Sequence, residues 1–434
     1  MWLIFTLITM FFITIIYIIN KRTLRYKSKL TLYIIFVSEW AFILIVGIIN
    51  PYQFFEISQK YSLLLFIGIT AWLIGFVLAQ FEYMSLFSVK PEIGLTKEMK
   101  LQINENIYIF YTAIILIFTV YVASIILDYL RQGYSYVEIH KIAFGDTEES
   151  LFTSKFMNRF YNLVMFGIVQ AIIPVIIISF FTKNYRNISA VALLSIMGYC
   201  LLIGRRFPLL YMIIDIILVL PFTQLKLSRK NIRIIFISIF VLLLGIILFT
   251  AWRKKAFETG NWELVYSEFI KYFNISLPIG DYWVNYIDNY HSQTFLIGYS
   301  FFKGFLDNIH SLFKILGLDL VYSNLGSELI NLPQDNYINI GFQKYYNAFA
   351  SMIYFFYLDF RYLGVLFGCL IFGFITGFVE VNANVCKKTK MIAFYLLFSQ
   401  AVFKSFVRWE FNVGSYVMAY FYLYLLFKKV KIIF

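Results

Sequence analysis

Eleven apolar runs, most of them 16–21 residues long and joined by short basic connections, divide this chain. About 20 apolar residues carry an α-helix across the hydrocarbon core of a bilayer, where each backbone N–H and C=O must be satisfied within the segment itself. The runs fall at 2–20, 30–49, 61–80, 107–127, 161–182, 188–204, 207–222, 234–251, 360–380, 391–407 and 413–427. They predict an all-α polytopic membrane helical bundle of about 11 spans. Composition agrees, since 61% of the 434 residues are hydrophobic and 14% are charged, against roughly 45–50% and about 25% in an average soluble domain.

A net charge of +13 can signal nucleic acid, but here the charge is spread over short loops between apolar runs. That distribution suits anionic lipid headgroups, and no nucleic acid is expected as a partner. Cys200, Cys369 and Cys386 lie within or at the ends of apolar segments without metal-ligand spacing, and read as packing residues. The run at 2–19 is followed by a basic cluster and lacks a small-residue cleavage site, which makes it a spanning helix and not a signal peptide.

Orientation follows from the lysines and arginines, which short cytoplasmic loops retain. With the N-terminus outside and the C-terminus cytoplasmic, 20 of the 37 basic residues fall in inner connections, and every inner loop is basic. Most of the others lie in two long outer segments, about 128–160 and 252–359, where the rule has little force. The predicted organisation is an N-terminal bundle over 1–251, a large external loop of short helices over 252–359, and a C-terminal bundle over 360–434.

Arginines in short outer connections are the exception to this pattern. In LLIGRRFPLLYMI, Arg205 and Arg206 precede a helix that starts at Phe207–Pro208, with proline suited to the first turn. A helix N-terminus already carries about half a positive charge, so two guanidiniums beside it are unfavourable unless an anion is present. The pattern recurs in FFYLDFRYLGVLFG, where Asp359 reads as an N-cap and Arg361 falls in the first turn, and in FVRWEFNVG, where Arg408, with Lys404 nearby, precedes the last span. Together these helix ends predict a phosphate or diphosphate site, with arginine forks and backbone N–H groups as donors. Interfacial arginines also snorkel to headgroups without further purpose, and Arg253, followed by Lys254 and Lys255, reads equally as a phosphate contact or the start of a solvated loop.

Two carboxylates fall at membrane depth, where charge is costly and usually paired or functional. Asp215, two turns below Arg206, is expected to pair with one of the arginines; Glu39 has no evident partner in the sequence. The histidines are His140, His291 and His310. His291, in DYWVNYIDNYHSQ, is close in sequence to Asp281, Asp288 and several Tyr and Trp rings that could stack on sugar faces, and its ordinary pKa suits a general base. A surface histidine in an amphipathic loop helix is the plainer reading. The chain has no GxxxxGK[ST], HExxH or GxGxxG stretch and no Asp-x-Asp pair, so nucleotide hydrolysis, zinc proteolysis, dinucleotide binding and metal-held nucleotide-sugars lack support. No cofactor and no metal are expected.

GRRFPLL at 204–210, a long outer loop, and then YNAFASMIYFFYLDFRYLGVLFGCLIFGFITG at 346–377 resemble the O-antigen and capsule repeat-unit polymerases, the Wzy family. Asn347, Asp359, Phe360 and Gly364 match the family pattern, while Arg361 stands where a glycine is usual. The resemblance covers the organisation of most of the chain and specific residues over about 40 positions. It implies a GT-C-like, metal-independent glycosyltransferase of the bacterial plasma membrane. Its donor and acceptor would be undecaprenyl-diphosphate-linked oligosaccharides, with membrane lipids, a chain-length regulator and a flippase as further partners. In that reading Arg205 and Arg206 take the donor diphosphate, Arg361 and Arg408 assist or bind the acceptor diphosphate, and His291, or else Asp281 or Asp288, is the base. An O-antigen ligase and a lipid-linked oligosaccharide flippase are the alternatives, although the two related halves common in transporters are absent.

Overall fold

A computed structural model describes residues 1–23, 32–86, 101–135, 138–139, 142, 152, 154–222, 229–253, 260, 262–315, 324–386 and 388–427. His140, Lys254 and Lys255 lie outside the described residues. The first helices are α1 (Trp2–Thr23), α2 (Leu32–Ile49), α3 (Gln59–Leu86), α4 (Glu105–Arg131), α5 (Lys155–Arg159), α6 (Phe166–Thr182), α7 (Arg186–Ile203), α8 (Phe207–Val219) and α9 (Arg229–Arg253). They are followed by α10 (Glu263–Asn274), α11 (Ser276–Tyr290), α12 (Tyr299–Ile315), α13 (Asn324–Asp335), α14 (Ser351–Cys386), α15 (Thr389–Phe403) and α16 (Gly414–Phe427). A π-helical stretch, Phe160–Met165, joins α5 to α6. Among the described residues the one sheet is an antiparallel pair, β1 (Ile338–Asn339) and β2 (Tyr345–Tyr346).

The chain is therefore mostly helical, and six of its described helices are long and apolar enough to cross a membrane: 32–49, 59–80, 105–131, 156–182, 186–203 and 351–386. Five shorter apolar helices fall in the other expected segments. Their exposed faces are covered with large apolar side chains such as Phe11, Ile117, Leu194, Phe236 and Phe367, as helices surrounded by lipid require. Over 263–350 the described residues form the short helices α10 to α13 and the β1–β2 pair, and a further helical stretch starts at Ser351.

The chain divides into two compact units, each drawn from non-consecutive stretches. One comprises Met1–Gly94, Glu268–Cys386 and Phe398–Gly414; the other comprises Leu95–Ser267, Lys387–Leu397 and Ser415–Phe434.

The first unit is built on α3 and α14. A Cβ added at Gly75 would stand 2.1 Å from the Leu370 carbonyl oxygen, and one at Gly373 would stand 2.0 Å from that of Trp72. The two backbones can meet only because these positions are glycine, the small-residue seam that membrane helices use to gain packing without a hydrophobic driving force. Around the seam lie Trp72, stacked on Phe36 at 3.6 Å, and Trp409, ringed by Phe301, Phe356, Phe372 and Phe411.

Three helices of this unit begin on a carboxylate borrowed from a distant helix. The Leu32 N–H at the start of α2 donates to Glu380 of α14 at 2.7 Å. Ser58, ahead of α3, donates its N–H to Asp281 of α11 at 2.8 Å and its hydroxyl at 2.5 Å. The Ser300 and Phe301 N–H groups of α12 both donate to Asp359 at 2.9 Å. Opening N–H groups of a helix lack intrahelical acceptors, and a carboxylate satisfies them and the positive end of the dipole together.

In the second unit α6 is the core helix, with every residue from Phe166 to Ser179 buried, as an element apolar on all sides should be. Tyr108 of α4, Ser189 of α7 and Ser179 of α6 share a hydrogen-bonded hydroxyl chain. Asp215 on α8 is fully buried.

Candidate functional site

The turn between α7 and α8 matches the sequence reading closely. Ile203 ends α7, Gly204 takes the left-handed conformation (φ 80°) with its N–H on the Cys200 carbonyl, and Pro208 sits in the first turn of α8. A left-handed residue here suits glycine because it has no Cβ to clash. Arg205 lies half-buried with its guanidinium carbon 4.5 Å from the Phe166 ring centroid and 5.1 Å from that of Tyr161. Arg206 is the N-cap residue of α8 and its Nη1 donates to Thr250 on α9 at 3.0 Å. Arg253 ends α9 in the same unit, and its side chain lies outside the described set.

Most other predicted residues belong to the first unit, where α11 carries a regular pattern. Its sequence DYWVNYIDNY holds three pairs, Asp281–Tyr282, Asn285–Tyr286 and Asn289–Tyr290, each four residues from the last. At 1.5 Å rise per residue they form a ladder with steps of about 6 Å along one side of the helix. The ladder lines a cavity of about 340 Å³ whose other wall is Phe55, Glu56, Asn339 and Ile340. That wall is fixed by the Phe55 N–H on the Ile340 carbonyl at 2.8 Å and by the β1–β2 hairpin.

Beside this cleft two cations flank one ring. Lys60, in the first turn of α3, pairs with Asp288, and its Nζ lies 4.9 Å from the Tyr357 ring centroid. The Tyr357 hydroxyl donates to Asp288 at 2.6 Å. On the same ring sits Arg361, its guanidinium carbon 5.1 Å from the Tyr357 centroid and 5.2 Å from that of Phe295. Arg361 Nη2 is shared by the carbonyls of His291 (2.7 Å), Ser292 (3.2 Å) and Thr294 (3.0 Å). Its Nη1 is buried and has no hydrogen-bond partner among the described residues. Asp288 pairs with Lys60 and Asp281 also acts electrostatically on it, so the charges are close to balanced; what is left over is the buried Arg361 donor, which is costly unless an acceptor comes to it.

Arg361 is also held against its backbone preference. Helix α14 breaks at Phe360 (φ −145°, ψ 29°) and Arg361 (φ 56°, ψ −128°), the second a region that residues with a Cβ rarely enter. Gly364 permits the break, since a Cβ there would stand 2.1 Å from the Phe356 carbonyl oxygen.

Two expectations need correction. Asp359 does not cap the helix that resumes after the break at Phe360–Arg361, close to the start expected at 360; it ends the preceding helical stretch from Ser351, and its carboxylate is drawn sideways onto α12 instead. Arg361 is accordingly at a mid-helix break and not in a first turn. Replacing Asp359 by Ala removes the acceptor of two buried N–H groups, so the α12 N-terminus should lose roughly 1–3 kcal/mol, seen as faster hydrogen exchange at residues 299–303.

The structure brings Asp281, Asp288, His291 and Arg361 together on and around α11. Asp281 has both oxygens occupied by Ser58 and Asn285. His291 is the residue after α11, its ring 5.9 Å from that of Tyr286. Arg408 lies elsewhere in this unit, its Nε 3.2 Å from the buried Glu410 carboxylate that Lys404 also holds. Asn347 donates to the Gln334 carbonyl at 3.0 Å and ties down its loop.

Lys60, Tyr357 and Glu410 did not stand out in the sequence. For Lys60 the signal was present, because ISQKYSLLL places a cation just after a Ser N-cap, the same unfavourable juxtaposition that singled out the arginines. Among the described residues no group of three or more His, Cys, Asp or Glu side chains is placed to hold a metal ion. No family model matches the chain, and no curated protein or solved structure matches it.

Proposed function

We propose that the protein is a GT-C-like, metal-independent glycosyltransferase of the Wzy type, joining undecaprenyl-diphosphate-linked oligosaccharide repeat units into O-antigen or capsular polymer at the outer face of the bacterial plasma membrane. The observation that supports this best is the pairing in one unit of a spare buried guanidinium donor, Arg361 beside Lys60, with a cleft of alternating rings and amides. Flat rings suit the apolar C–H faces of sugars, and each asparagine amide offers both donors and acceptors to hydroxyls. The guanidinium fork matches phosphate oxygens. A substrate that is glycan at one end and lipid diphosphate at the other meets both demands.

In this reading Lys60 and Arg361 hold the acceptor's diphosphate, and the Asp281–Asn289 ladder holds its sugars. His291 takes the proton of the acceptor hydroxyl as that oxygen bonds to C1 of the donor. The C1–O bond to the donor diphosphate breaks, and its electron pair leaves with the phosphate. Arg205 and Arg206, at the α8 N-terminus of the other unit, are assigned by this reading to a lipid diphosphate, whose oxygens the guanidinium fork matches. Asp288 orients Lys60, Asp281 and Asn347 shape the cleft and its loop, and Arg408 belongs to the Glu410 cluster.

Purified protein in phosphatidylethanolamine–phosphatidylglycerol vesicles, given lipid-linked repeat units from its host, should produce a ladder of multiples that EDTA leaves unchanged. Arg205→Ala or Arg206→Ala should reduce the ladder about 10²–10³-fold, the usual loss on removing a donor to developing negative charge, while single units persist. Transfer only to lipid A core would instead identify a ligase, and translocation without elongation a transporter.

A further inference from the structure

Helix α12, YSFFKGFLDNIHSLFKI, has a three-sided surface that the proposed reaction does not explain. One side is fixed to protein. Phe301 and Ser300 are bound by Asp359 at the α14 break, Gly304 packs on the Phe411 and Val413 backbone, and Asn308 donates to the Gly414 carbonyl at 2.9 Å. The helix is thus tied to two points, residue 359, just before α14 resumes after its break, and residue 414, where α16 begins. Both are ends of strongly apolar helical stretches.

A second side is an apolar stripe at i, i+3, i+7 and i+10. Phe302, Phe305, Ile309 and Leu312 are 52%, 43%, 47% and 57% exposed. At 3.6 residues per turn, Lys303, Asp307, His310 and Lys314 fall on the opposite side. The exposed apolar surface also continues beyond the helix, through Ile297 on its leading turn to Phe360, Leu363 and Phe367 of α14, whose apolar length can cross a membrane.

From this continuity we infer that α12 lies in the plane of the membrane interface, with Phe302, Phe305, Ile309 and Leu312 sunk at the headgroup–acyl boundary. A helix anchored across the ends of apolar helices is at the depth where hydrocarbon gives way to headgroups. Its apolar stripe then faces acyl chains, while on the polar side Lys303 and Asp307 pair with each other and Lys314 is exposed to water, the arrangement of interfacial amphipathic helices. The occupant of this surface is bilayer lipid.

The test uses the full chain with Cys386→Ser, since Cys200 and Cys369 are buried. A nitroxide is placed by Phe302→Cys, Phe305→Cys, Ile309→Cys, Leu312→Cys, His310→Cys or Lys314→Cys, and each protein is reconstituted in phosphatidylethanolamine–phosphatidylglycerol vesicles. The ratio of oxygen to nickel-chelate accessibility should be several-fold higher on the apolar stripe than at 310 and 314. Equal nickel access on both sides overturns the inference in favour of water. Protection of the stripe from both reagents overturns it in favour of a second copy or another protein. Should the labelled variants fail to fold, brominated lipid should quench Phe305→Trp more than Lys314→Trp in the otherwise intact chain, and equal quenching overturns the inference.

Discussion

Polymer should disappear when Arg361 is replaced by either alanine or glycine, yet the two variants should differ in stability. Arg361 holds φ 56° and ψ −128°, and such a backbone costs of order 1–3 kcal/mol for a residue with a Cβ. Glycine enters that region freely while alanine does not. Both substitutions remove the contacts to the carbonyls of His291, Ser292 and Thr294, so these losses cancel in the comparison. Arg361→Gly should therefore unfold later than Arg361→Ala in detergent, by the Tm shift equivalent to about 1–3 kcal/mol, with neither making polymer in vesicles. Arg361→Lys retains the charge but not the fork, and should recover part of the activity. Polymer of normal length from the alanine variant would remove Arg361 from the anion site.

Glu410→Gln should cost about 3–5 kcal/mol, the usual penalty for removing one partner from a buried ion pair. Glu410 is fully buried and Lys404 is 4% exposed, with Arg408 bound to the same carboxylate oxygen. Burial alone would raise the Glu410 pKa, but Arg408 and Lys404 outweigh it and hold the carboxyl below its ordinary value. A depressed folded-state pKa means that the stabilisation is present above the unfolded carboxyl pKa, about 4.3, and is lost as pH falls through the lower folded value. Tm of the native protein should carry this contribution between pH 7 and 5 and lose it below about pH 4. The Gln variant should begin lower and lack that part of the acid decline; equal Tm values at pH 7 would show that the cluster contributes nothing.

What the sequence disclosed was what local rules govern. Hydrophobic run length located each apolar helix, and Gly204, Arg205 and Pro208 announced the α7–α8 turn because capping chemistry is confined to a few neighbouring residues. The apolar helix that resumes after Arg361 starts close to its expected position, but the helical stretch from Ser351 before it and the turn of the Asp359 carboxylate to α12 depend on tertiary contacts. The Tyr–Asx ladder of α11 was visible as rings near His291, but its opposite wall comes from residues 55–56 and 339–340, which no spacing rule brings together. Lys60 and Arg361 are 301 positions apart in sequence and share a ring only through folding.

The borrowed carboxylates also constrain how the chain is made. Leu32 waits for Glu380 and Ser58 waits for Asp281, separated by 348 and 223 positions. A nascent polypeptide that has threaded its first three helices through a translocon therefore lacks the carboxylate acceptors of two of their leading ends, although the Ser58 hydroxyl still caps the Tyr61 N–H of α3. The Ser58 N–H must find other acceptors until Asp281 has been synthesised, and the Leu32 N–H until Glu380 has been, so these two contacts form late in assembly of this unit.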